Sequence, residues 1–137
     1  MARARDIVPV NRGEARNSLT KAEEMTSASA SELAMGHWNS AGLNAVHAGI
    51  CAADAALIAS VAVRSSSQDH GAVLSLLEER VPEFSATQRR HLAGLIKVKN
   101  VVAYEQRLLT ETEARQLADH ANRLTKWAAG VVRDQLR

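Results

Sequence analysis

The chain has 137 residues, of which 46% are apolar and 23% charged, enough to bury a core in one domain and too apolar for a disordered chain. Aromatics are only 3%, and 7 Gly and 2 Pro are too few for the turns of a sandwich or barrel, which excludes an all-β fold and points to all-α. Lys and Arg total 17 against 15 Asp and Glu, and the net charge of +2 does not by itself mark a nucleic-acid binder.

Residues 1–11 read as a flexible N-terminal arm, Arg-rich and ending around Pro9, ahead of a single domain over 12–137. A first helix is expected from about Arg12 to Ala34 on the beat of Ala15, Leu19, Ala22, Met25 and Leu33, weakened by Ser27, Ser29 and Ser31. The second runs from about Gly36 to Val63. A polar break follows, in which Asp69 is a candidate N-cap for a short helix ending near Arg80. Ser85 with Gln88, and Thr110 with Glu113, form two capping boxes. They open a helix to about Ala103 and a last one to about Asp134, the latter striped by Ala114, Leu117, Ala121, Leu124, Ala128 and Val131. Four long helices, one short one and short connections predict an antiparallel four-helix up-down bundle with one extra helix.

Charge is unevenly placed. Between Ser85 and Arg107, Arg89, Arg90, Lys97, Lys99 and Arg107 face only Glu105, so this stretch alone exceeds the net charge of the chain. Such a segment suits phosphate contact, and equally a solvated helix face. A single cysteine, Cys51, forbids an internal disulfide and fits a reducing, cytoplasmic setting. The first twenty residues carry Arg3, Arg5, Arg12 and Arg16 without an apolar core, so no secretory signal is expected there. The apolar run Gly42–Val63 contains Asn44, His47 and Asp54 and owes most of its apolarity to Ala, so it reads as a buried helix and not a membrane span.

The second helix carries a small-residue stripe, Ala41, Ala45, Ala48, Gly49, Ala52, Ala56 and Ala59, beside an arc of Leu43, Val46, Ile50, Leu57 and Val61. Covered on two arcs, it is expected either at the centre of the bundle or at a dimer interface. His47, Cys51 and Asp54 share a third face, and Asp54 is the one formal charge between Ala41 and Val63. Lys99 falls inside the apolar arc of the fourth helix with Leu92, Leu95, Ile96 and Val102. Asp54 and Lys99 are therefore matched as two odd ions. They form a stabilising pair, or Lys99 snorkels, or they wall a polar cleft between the second and fourth helices. No HExxH, CxxC, P-loop, GxGxxG or GxSxG occurs, and the five histidines are scattered with none paired at i, i+4, so no metal site and no cofactor is expected.

Three stretches together resemble the HEPN superfamily of small helical bundles: WNSAGLNAVHAGICAADAALIA (Trp38–Ala59), QDHGAVLSLL (Gln68–Leu77) and KNVVAYEQRLLTETEARQLADHA (Lys99–Ala121). The resemblance is one of layout and spans roughly Glu14 to Leu136. It implies a homodimer in which two copies converge on one cleft. It also implies a metal-independent endoribonuclease of a toxin–antitoxin or defence system, often paired with a small nucleotidyltransferase antitoxin. The family signature is an Arg, a short spacer and a His. Lys99 stands at the Arg position and Tyr104 at the His position, with Asn100 matching the polar residue that follows the Arg. Lysine lacks the bidentate fork of arginine, and a phenol of pKa about 10 is a weak base at neutral pH. Arg115 and His120 keep a similar spacing but point about 140° apart on one helix, and Arg64 and His70 flank the polar break, where the bland reading is a local cap.

Two function classes follow. In the first, an RNA-acting HEPN-like dimer has a cleft lined by Asp54, Asn100 and Arg64 for binding and by Lys99, Tyr104, His47 and His70 for catalysis, with acid–base work falling to the histidines. In the second, a non-catalytic module dimerises through the Ala stripe and binds a protein partner, or binds a nucleotide with Lys99 on its phosphate.

Overall fold

A computed structural model describes residues 7–66 and 71–137. Over these residues the chain is a helical bundle of five α-helices with one small two-stranded sheet: β1 (Ile7–Pro9), a 3-10 turn (Arg12–Glu14), α1 (Ala15–Ala34), α2 (Trp38–Val61), β2 (Val63–Ser65), α3 (Gly71–Arg80), α4 (Ala86–Tyr104) and α5 (Glu111–Gln135). Each expected helix is present, with bounds within two or three residues where both ends are described. Asp69, expected to cap α3, lies outside the described residues.

The expected loose arm is corrected in part. Ile7–Pro9 pairs antiparallel with Val63–Ser65, Val8 opposite Arg64, and the Val10 amide donates to the Ala62 carbonyl at 2.9 Å. Three residues of extended chain with one proline carry no periodic signal, so composition could not reveal them. The partner strand is aimed by Ala62, which ends α2 in the left-handed region at φ 57°, ψ 35°. That single reversed residue turns the chain out of the helix and along β1.

The middle of the bundle is α2, packed against α1, α5, α4 and α3. All seven small residues of its stripe are buried within this one chain. The stripe is therefore filled by neighbouring helices and is not free to dimerise. At Gly49 a Cβ would lie 2.3 Å from Leu95 Cδ1, so the absent side chain is what lets α4 close on α2. By length and composition α2 is also apolar enough to cross a membrane, with mean hydropathy 1.4 over its most apolar stretch. Inside the chain 67% of that stretch is buried, the position of a core helix.

The serines of α1 do not shorten it. Ser29 is buried and its Oγ donates to the Ala41 carbonyl at 2.8 Å, while Thr26 Oγ1 meets Thr125 Oγ1 of α5 at 3.2 Å. Hydroxyls that favour non-helical backbone in isolation here join helices instead. Below α2, Leu76, Leu77 and Val81 close the core, and Phe84 tilts onto Trp127 with ring centroids 5.7 Å apart. Both capping boxes form: Gln88 returns to the Ser85 amide at 3.1 Å, and Thr110 Oγ1 accepts from the Glu113 amide at 3.1 Å.

Candidate functional site

The expected Asp54–Lys99 cleft does not form. The cations that act on Asp54 are Arg64 of β2 and Lys21 of α1, whereas the Lys99 Nζ lies 5.8 Å from the Tyr104 ring centroid. The reason is azimuth. The side of α2 that faces α4 is marked by Gly49 against Leu95, and Asp54, five residues on, sits about 140° around the helix. Burial pushes the Asp54 carboxyl up from 3.8 to about 6, against the pull of Arg64 and Lys21. Cys51, on the same face, is raised in turn by burial and by Asp54. This is a half-buried carboxyl under the influence of two cations, with no hydrogen bond to either.

The remaining expected site residues are spread over the surface. His47 is exposed on α2. Arg64 is exposed in β2, with its guanidinium bonded to the adjacent Ser65 carbonyl at 3.3 Å. Its pairing with His70 falls outside the described residues. Asn100 is exposed on α4, and Tyr104 stands 74% exposed at the end of that helix. Lys99 lies near Tyr104, and Arg64 is the strongest charged influence on Asp54.

A more developed site lies between α4 and α5, where a groove of about 410 Å³ is lined by Gly94, Lys97, Val101, Arg107, Gln116 and His120 among others. That volume is within the range of small-ligand sites. Arg107 is committed to Glu113 in a two-pronged pair at 2.9 and 3.1 Å, and that guanidinium with the Thr110 amide holds the Glu113 carboxyl down at about 2. Lys97 is exposed and has no acidic partner among the described residues. Lys97, Val101 and Tyr104 follow at i, i+4 and i+7, so the tyrosine extends the face of α4 that borders the groove.

At the groove wall, His120 Nδ1 meets His91 Nδ1 at 2.9 Å, the rings tilted 56° with centroids 5.1 Å apart. His91 is only 7% exposed and His120 is half-buried. Burial lowers the pKa of both imidazoles. His91 is lowered further by His120, Arg90 and Arg123, and Asp119 opposes the shift in each. Gly94 makes room for the pair, since a Cβ there would lie 2.8 Å from His120 Nε2. This dyad was not legible as a pair in the sequence. The signal available was that His91 adjoins Leu92 and His120 adjoins Ala121, each at the edge of an apolar stripe, at comparable distances from the loop that joins the two helices.

No protein-family model matches the chain, and no curated protein is significantly similar to it. Function is therefore argued from the site alone.

Proposed function

We propose that the protein is a HEPN-like helical module that acts on RNA, binding a single strand along the C-terminal half of α4 and into the α4–α5 groove. In this reading the five helices form the up-down four-helix arrangement with α3 as the extra element, two copies pair as a homodimer, and the setting is cytoplasmic and toxin–antitoxin-like. One observation carries it: the exposed Tyr104, the Lys97 ammonium without an acidic partner among the described residues and the exposed Asn100 line one side of α4, beside a groove that ends on a histidine pair. An exposed aromatic gives a base a face to stack on, and neighbouring lysines take phosphates. Lys99, drawn over the Tyr104 ring, holds a second cation at the same place.

The test is fluorescence anisotropy with a labelled single-stranded oligoribonucleotide across a salt series. Stacking contributes about 1–3 kcal/mol per base, so Tyr104→Ala is expected to weaken binding by about 5-fold to 150-fold. Replacing Lys97 and Lys99 together by Ala is expected to flatten the log–log salt slope by about 1.4. Absence of binding even at low salt removes the proposal.

A second reading is favoured by Leu108, which stands 71% exposed just beyond Tyr104. An aromatic and an aliphatic side chain exposed together suit a protein partner, such as a nucleotidyltransferase-type antitoxin, on a chain that does no chemistry itself. Binding of RNA that is indifferent to Tyr104 and Lys97 favours this alternative.

A further inference from the structure

The bond between His91 and His120 joins two helices and survives in only some of its protonation states. We infer that the pair is an acid-sensitive latch: while either ring keeps a lone pair on Nδ1 it holds α4 to α5, and a proton on both rings parts the helices there and widens the groove between them. Such a latch works whether or not RNA enters the groove.

Two imidazoles meeting Nδ1 to Nδ1 at 2.9 Å need one N–H and one lone pair. The neutral pair has this arrangement. With one proton added the arrangement is kept, and the bond becomes charge-assisted. With two protons an N–H faces an N–H, and attraction turns to repulsion. The rings have little room to turn away. His91 is 7% exposed, and the His120 ring lies so close over Gly94 that a Cβ there would meet Nε2 at 2.8 Å and Cδ2 at 3.0 Å. Relief therefore comes from parting the helices and not from turning a ring in place.

The charged surroundings do not neutralise a second proton. Arg90 of α4 and Arg123 of α5 act on the pair with the same sign as the added charge. Asp119 of α5 opposes them, but it is already committed to Arg123 at 3.0 and 3.1 Å. From α3, Glu78 is bonded to Arg89, and along the groove Arg107 is paired with Glu113 beside Lys97. Burial holds both imidazoles below the ordinary histidine range, so the resting pair is neutral at pH 7.5.

The packing also decides which contact gives. The helices α1 and α5 pack on α2 more extensively than α4 packs on either α2 or α5. Leu95, fully buried over Gly49, ties α4 to α2. The α4–α5 contact, which already contains a groove of about 410 Å³, is the one left to open. Once parted, both rings titrate near 6.5 and are charged about one pH unit below it, whereas the closed pair holds one proton at most. Opening then takes up at least one proton, so the ratio of open to closed rises about tenfold or more for each further unit of acid.

The test places two spin labels across the groove, on Lys97→Cys of α4 and Gln116→Cys of α5 in a Cys51→Ser background. Their separation is read by double electron–electron resonance from pH 7.5 to pH 4.5, with circular dichroism alongside. One short distance is expected at pH 7.5. A longer one is expected to grow in below about pH 6, steepening to about tenfold or more per unit, with helix content kept and full return on neutralisation. In His91→Asn the Oδ1 accepts from His120 Nδ1 and takes no proton, so the short distance is expected to persist to pH 4.5. Should that variant not fold, NMR of the imidazole ring protons in the chain with both histidines decides, since uptake of the second proton is expected to coincide with the longer distance. A separation that stays short across the pH range overturns the inference, as do two rings that both gain protons while the helices remain closed. So does a longer distance that grows equally in His91→Asn, or one that appears only as helix content is lost.

Discussion

Asp54→Asn is expected to stabilise the protein, and to do so in a pH-dependent way. The carboxyl is pushed from 3.8 to about 6 by burial. That rise is a factor of about 150 in proton affinity, so the ionised group costs the fold about 3 kcal/mol once pH exceeds both values. The sign follows from proton count. Between 3.8 and about 6 the folded chain holds a proton that the unfolded chain has released, so stability falls as pH rises through that window. Lys21 and Arg64 already reduce the penalty and are included in it. Asparagine removes the charge but leaves an amide without a matched partner, at about 1 kcal/mol. The net gain expected is about 2 kcal/mol near pH 7.5, shrinking by about 1.4 kcal/mol near pH 5, where the wild-type carboxyl is mostly protonated. Urea denaturation followed by far-UV circular dichroism at the two pH values measures both quantities, and the difference between variant and wild type cancels the other titrating groups. A variant less stable than wild type by more than about 1 kcal/mol at the higher pH would refute the reasoning, because it would mean that Asp54 is a net-stabilising ion pair with Arg64 or Lys21. A gain that is the same at both pH values would refute it too.

Two further outcomes test the frame that carries the sites. Gly49→Ala is expected to destabilise by about 1–3 kcal/mol, since its Cβ would fall 2.3 Å from a Leu95 Cδ1 that is itself fully buried; in a Leu95→Val background the loss should shrink, and equal losses in both backgrounds would mean that the two residues do not meet. Ala62→Gly is expected to raise stability by about 1 kcal/mol in the same denaturation assay, because φ 57° is strained for any residue with a Cβ and free for glycine; a loss of stability would mean that the turn into β2 depends on the methyl group.

What the sequence disclosed depends on whether a feature belongs to one helix or to two. Capping boxes are local chemistry, and Ser85–Gln88 and Thr110–Glu113 each mark a helix start within a residue. The apolar beat of α5 is equally local, and Ala114, Leu117, Ala121, Leu124, Ala128 and Val131 are all buried. The pairing of faces between helices is not written in periodicity. Asp54 and Lys99 looked like partners because each is an ion among apolar neighbours, but a periodic pattern gives the rotation of a helix about its own axis and not the identity of the helix opposite. The His91–His120 bond is the converse case, two residues 29 positions apart that no spacing rule links. The small-residue stripe allowed a central helix or a dimer seam, and burial within the single chain decided for the first.

The division of labour among helices follows from that packing. With α2 contacting the other four helices, most of its surface is covered, and its polar side chains include the half-buried Asp54 and the exposed His47. The other end of the burial scale is the C-terminal half of α4, where Lys97, Asn100 and Tyr104 are all exposed and the next helix begins only after the loop that contains Arg107 and Leu108. There a cationic surface adjoins a groove, and at that groove two titratable rings from different helices share a hydrogen bond. A site built across α4 and α5 needs one contact that periodicity cannot supply, and Gly94 supplies it: any side chain at that position would push His120 away from the groove or cover its Nε2. The close packing of α4 on α5 around the histidine pair, at the wall of the groove, therefore depends on one residue.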